Sequence, residues 1–226
     1  MPPHPGSPSE ATSEAMIAGR RKRERNPDQK RAAILKVASA EFASRGFSGA
    51  RVDRIAAQAG INKSILYYHF KGKEALYIEV LNAAYADIRG KELALGLDSL
   101  APEDAIRRLV EFTFDYYIVN PGFVQLLNSE NLLKGRYLAK SARIDEINAA
   151  LIRNLQAVLD RGVAQGVFRE GVDAPDLYLS ISALGYLFVS NRHTLQVTLR
   201  RDLTDPANVA ARRRSIVDMV LRYLRA

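Results

Sequence analysis

Asn26-Pro27, Asn120-Pro121 and Asp205-Pro206 open, and Gly46, Gly60, Gly96 and Gly166 close, segments in which apolar residues recur at three- and four-residue spacing. A capping side chain and a proline at the first position suit a helix start, and a glycine just past the last turn suits its end. No β-alternation of useful length intervenes, so the chain is read as all-α. The first helix runs from Pro27 through Ile34, Val37, Ala38 and Phe42 to Gly46. Two short helices follow, over 51–59 and from the Asn62 cap to Phe70, and then a long one from Lys73 to about Leu95. Five more are expected over 102–120, 121–133, 141–165, 174–191 and 206–225, which makes about nine in two domains.

Length and composition fit that reading. A chain of 226 residues that is 47% hydrophobic can bury a real core. It has no apolar run long enough for a bilayer span and no secretory leader, so a cytoplasmic protein without membrane contact is expected. The absence of cysteine removes disulfide frameworks, thiolate metal sites and cysteine nucleophiles. With three scattered histidines, no phosphate-binding glycine loop and no HExxH, nothing suggests an enzyme, a metal or a cofactor.

The formal charge of +8 is unevenly placed: residues 1–80 carry 14 Lys/Arg against 8 Asp/Glu. A basic N-terminal module on a nearly neutral body fits phosphate neutralisation, and it fits a solvated surface as well. Residues 1–25 are rich in Pro, Ser and Gly and end in the cluster Arg20-Arg21-Lys22-Arg23-Glu24-Arg25. They read as a disordered basic arm that either follows phosphates or is a plain solvated tail.

The stretch 46–76, GFSGARVDRIAAQAGINKSILYYHFKGKEAL, is the most informative. Val52, Ile55 and Ala56 give the second helix an inward face, Ala59-Gly60 permits a tight left-handed turn, Ile61 plugs the core and Asn62 caps the third helix. Leu66 and Phe70, four apart, point inward, which leaves Lys63, Ser64, Tyr67, Tyr68 and His69 mostly outward. That is the pattern of a helix-turn-helix whose second helix enters a DNA groove. The domain is drawn over 26–72 with the start of helix four, 73–80, and the rest over 81–226.

In this stretch the chain resembles the DNA-binding domain of the TetR (tetracycline repressor) family. The matching residues are Gly46-Phe47, Ile55-Ala56, Ala59-Gly60-Ile61, Leu66-Tyr67-Tyr68-His69-Phe70 and Lys73-Glu74-Ala75-Leu76. The segment NPGFVQLLNSENLLKGRYL is similar to one branch of the family's ligand domains. The resemblance implies that Lys63 and Ser64 approach base edges, that Tyr67, Tyr68 and His69 contact phosphate and sugar, and that Lys73 adds a phosphate contact. Ala50 and Arg51 stand where the family usually has Ser or Thr at the start of the second helix. Ser48 then becomes the candidate cap, and Arg51 a phosphate contact.

One headpiece covers too little DNA for specificity, so a homodimer on a palindromic operator is expected. The last two long helices are its candidate interface, through Tyr178, Ser182, Gly185 and Val189 on one and Val217, Val220 and Leu224 on the other. Arg212-Arg213-Arg214 reads as solvated surface. A small-molecule effector, inducer or co-repressor, would lie among helices four to eight, near Phe114, Tyr117, Phe123, Leu127, Asn131, Tyr137, Phe188 and Asn191. The reading is therefore a ligand-released repressor. The alternative is a DNA-binding protein with no sensor, constitutive or architectural.

Overall fold

The computed structural model describes the backbone of residues 10–226 and the side chains from residue 28 onward, residue 142 excepted. The basic arm expected over 1–25 lies outside the described side chains. Among the described residues there are ten α-helices and no strand: α1 Glu10–Gly49, α2 Val52–Gln58, α3 Lys63–His69, α4 Lys73–Leu93, α5 Pro102–Val119, α6 Pro121–Leu132, α7 Ala142–Ala164, α8 Ala174–Ser190, α9 Arg192–Leu199 and α10 Pro206–Leu224. None of these helices is long and apolar enough to cross a membrane. α1 begins earlier than the Asn26-Pro27 start, over a stretch rich in Ala, Glu and Arg, which are good helix formers. Gly46, at φ 63 and ψ 176, breaks it where the sequence placed its end.

Two apolar cores meet along α4. The first gathers Ile34, Ala38 and Phe42 of α1 with Ile55, Leu66 and Phe70, and takes in Leu76, Tyr77, Val80 and Leu81 from the N-terminal half of α4. The second is built on α5, whose Ile106, Leu109, Val110, Phe114 and Tyr117 pack among α7, α8 and α10, with Ile88 from the C-terminal half of α4. The first core is closed by two residues from the second part of the chain, Leu126 of α6 and Tyr137.

Tyr137, expected in an effector pocket, stands here instead. Its ring lies 5.3 Å from Tyr77, edge-on, and 4.4 Å from Phe47. The buried Glu130 carboxylate folds the segment back by accepting the backbone N–H groups of Tyr137 at 2.7 Å and Leu138 at 2.9 Å. The Arg212-Arg213-Arg214 run is also more than surface. Arg213 grips Asp115 of α5 through Nε at 3.0 Å and Nη2 at 2.9 Å, with Nη1 on Glu111 at 3.0 Å, and Arg212 donates to the carbonyl of Leu184 at 2.8 Å. Only Arg214 of the three is exposed.

Candidate nucleic-acid interface and effector cavity

The turn between α2 and α3 is fixed by backbone chemistry. Gly60, at φ +67, closes α2 with paired hydrogen bonds, its own N–H to Ala57 O at 3.2 Å and that of Ile61 to Ala56 O at 3.0 Å. Asn62 Oδ1 then accepts from the Ile65 N–H at 2.9 Å and starts α3. Leu66 and Phe70 are buried, and Lys63, Ser64, Tyr67 and Tyr68 are exposed, Tyr68 at 85%. His69 is half-buried, edge-on to the Tyr68 ring at 5.4 Å. A short helix thus presents a lysine, a serine and two phenols on the face opposite its core.

The start of α2 is capped from a distance. Glu41 of α1, buried, accepts the Arg51 N–H at 3.1 Å and Arg54 Nε at 2.8 Å, so Ser48 is not the cap. Burial by itself would raise this carboxyl, but those donors and the nearby Arg54 and Arg45 charges hold it below the usual carboxylate range. The Arg51 side chain remains exposed. Lys73 is half-buried, donates to Ser48 O at 3.4 Å and lies 4.8 Å from the Phe47 ring centre; burial lowers its pKa. Lys63 is paired with Asp53 of α2 at 2.8 Å, and that hydrogen bond raises its pKa. Both partners are exposed, so water and salt screen the pair and it holds Lys63 only weakly.

Between α4, α5, α6 and α8 lies a cavity of about 280 Å³. Of the candidate effector residues, Tyr117, Phe123 and Leu127 line it, together with Tyr85, Arg89, Tyr178, Ser182 and Tyr186, and the exposed Leu179 and Ala183 stand at its open side. The other candidates lie elsewhere. Phe114 is core, packed on Phe188 at 5.7 Å, and Phe188 borders a separate groove of about 450 Å³ formed by α8, α9 and α10. Asn131 and Asn191 are exposed.

Sequence reasoning missed Arg89 and Glu92, although there was a signal. They continue the apolar stripe of Tyr85 and Ile88 by one turn, where a charge has to be paired. Arg89 Nη1 donates to the Glu92 carboxylate and to Tyr178 Oη at 2.5 Å, while Nε donates to Asn148 Oδ1 at 2.7 Å. Burial by itself would lower the arginine, but Tyr178 and Glu92 beside it hold it above its ordinary value, while burial raises Glu92.

The expected dimer stripe is turned inward. Gly185, Val189, Val217, Val220 and Leu224 are buried within the chain, and a Cβ on Gly185 would come within 3.3 Å of Tyr117. Tyr178 and Ser182 line the cavity. The exposed apolar stripe is instead Leu179 and Leu187 of α8 with Met219 and Tyr223 of α10.

Comparison with known proteins agrees with this arrangement. Residues 34–80 match the family described as bacterial regulatory proteins, tetR family, and residues 102–220 match the tetracyclin repressor-like C-terminal domain. The chain is 38% identical over 203 residues to the HTH-type transcriptional repressor NicS of Pseudomonas putida, covering 90% of this chain and 96% of that protein. It is 32% identical over 160 residues to the repressor SCO4008 of Streptomyces coelicolor, covering 71% and 78%. The crystal structure of the putative transcriptional regulator SCO4942 from Streptomyces coelicolor superposes with a TM-score of 0.64 at 25% identity, over 86% of this chain and 98% of that one. The chain therefore belongs to the TetR family of bacterial transcriptional regulators.

Proposed function

We propose that the protein is a cytoplasmic repressor that binds a palindromic operator as a homodimer and releases it when a small molecule occupies the α4–α8 cavity. The observation that carries the DNA half is the outward face of α3, with Lys63, Ser64, Tyr67 and Tyr68 exposed over a buried Leu66 and Phe70. Lysine can donate to guanine N7 and O6, while phenols and Arg51 suit phosphate. The names of the repressors it resembles support the direction of control. The ligand half is supported by the cavity, whose wall includes α4, the helix that also begins in the headpiece core. A ligand that fits a splayed form better shifts the population away from DNA binding.

Operator DNA is obtained by selecting from a random-sequence pool with the unmodified protein. Lys63→Ala is expected to weaken binding by a base-contact increment of about 1–3 kcal/mol, and Tyr68→Ala by about tenfold, read by fluorescence anisotropy. Unchanged affinity in both variants refutes the placement of α3 in the groove.

A further inference from the structure

The wall of the α4–α8 cavity also defines what chemistry it accepts. This inference rests on the cavity being the effector site. Five rings, from Tyr85, Tyr117, Phe123, Tyr178 and Tyr186, surround one charged side chain, Arg89. No carboxylate lines the wall, because Glu92, at 1% exposure, is not among its residues. Arg89 spends Nε on Asn148 and Nη1 on Glu92 and Tyr178, and its Nη2 makes no hydrogen bond to any described residue. Ser182 Oγ, on the same wall, is buried and has no hydrogen-bond partner among the described residues.

The buried Ser182 hydroxyl is left unsatisfied without a ligand, which costs about 1–3 kcal/mol, and Arg89 Nη2 is a charged donor left unspent on the same wall. A guanidinium N–H and a hydroxyl on one wall suit an acceptor group whose single negative charge is shared by two oxygens, as in a carboxylate. Burial raises the hydroxyls of Tyr85, Tyr117 and Tyr178, so they stay protonated at neutral pH and add no negative charge to repel an anion. The volume of about 280 Å³ sits at the small end of ligand pockets, which suits a single-ring molecule.

We propose that the effector is a small aromatic acid, with its ring among the tyrosines and its carboxylate held by Arg89 and Ser182. Such an anion takes the Nη2 that Asn148, Glu92 and Tyr178 leave free on a guanidinium of α4, so its binding acts directly on the helix that reaches the headpiece.

The test is calorimetric titration of the full chain with benzoate, 4-hydroxybenzoate and phenylacetate as probes, each beside its uncharged amide. At least one acid is expected to bind ten times or more tightly than its amide. Ser182→Ala, which changes no charge, is expected to weaken that acid three- to tenfold and leave the amide unchanged. The paired change Arg89→Gln with Glu92→Gln, which leaves no lone buried charge, is expected to abolish the preference. Equal binding of acids and amides, or an acid unaffected by both changes, overturns the proposal. So does failure of all three acids to bind; operator binding by the same preparation, read by anisotropy, shows whether the DNA-binding reading stands regardless.

Discussion

At the scale of single residues, the amide of Arg51, the residue that leads into α2, is satisfied by a carboxylate ten positions upstream. Glu41 can do this because it is buried on α1, which bends at Gly46 before the chain enters α2, and is also held by Arg54. Its proton equilibrium carries a stability signature. The folded carboxyl sits below its unfolded value, which is about 4.3. Its contribution is therefore complete above that value and is lost as pH falls through the folded one. Glu41→Gln is expected to cost about 1–3 kcal/mol at pH 7, with the gap from the unmodified protein closing below about pH 4. Urea melts of both proteins between pH 7 and pH 3.5 measure this, and a gap independent of pH contradicts the role. Nothing in the motif GFSGARVDRIA announces Glu41, because the contact depends on a bend that brings two helices together.

At the scale of elements, starts and stops were legible wherever Asx, Pro or Gly chemistry marks them. α5, α6, α8 and α10 begin at Pro102, Pro121, Ala174 and Pro206, within a residue or so of expectation. α9, Arg192–Leu199, was not foreseen: α8 stops at Asn191, φ −106 and ψ 11, with no glycine or proline to mark a new start. The facing of α8 was equally hidden. Leu177, Tyr178, Leu179, Ile181, Leu184, Leu187, Phe188 and Val189 make it apolar nearly all round, so periodicity offers two stripes and only the neighbouring helices decide between them. The end of α7 shows how tightly such neighbours constrain. A Cβ on Gly162 would lie 1.9 Å from Cδ2 of the buried Phe168, whose backbone also bridges to Arg225. Gly162→Ala is expected to destabilise by about 1–3 kcal/mol, the cost of overpacking, despite alanine's better helix propensity. A chemical melt no less stable than that of the unmodified protein refutes the close approach.

At the scale of the whole molecule, the homodimer proposed above needs a face that one copy leaves open, and the exposed apolar side chains of α8 and α10 are its candidate. Tyr223, 47% exposed, lines a groove between α8 and α10 with Ser180, Ala183 and Met219, and Leu187, 52% exposed, stands further along α8. In that proposed homodimer, these two helices and their two-fold mates would form a four-helix bundle. In such an interface one substitution enters twice. Leu187→Glu places two carboxylates in a region where a stable dimer buries about 800 Å² per partner. Sedimentation at micromolar concentration is expected to show monomers, and operator affinity to fall by a hundredfold or more, toward the level of non-specific binding. Leu93→Glu, on an exposed leucine of α4, is the matched control and is expected to remain dimeric. If Leu187→Glu sediments as the unmodified protein does, the α8–α10 face is not where two copies meet, and the spacing of the headpieces must be set by another surface.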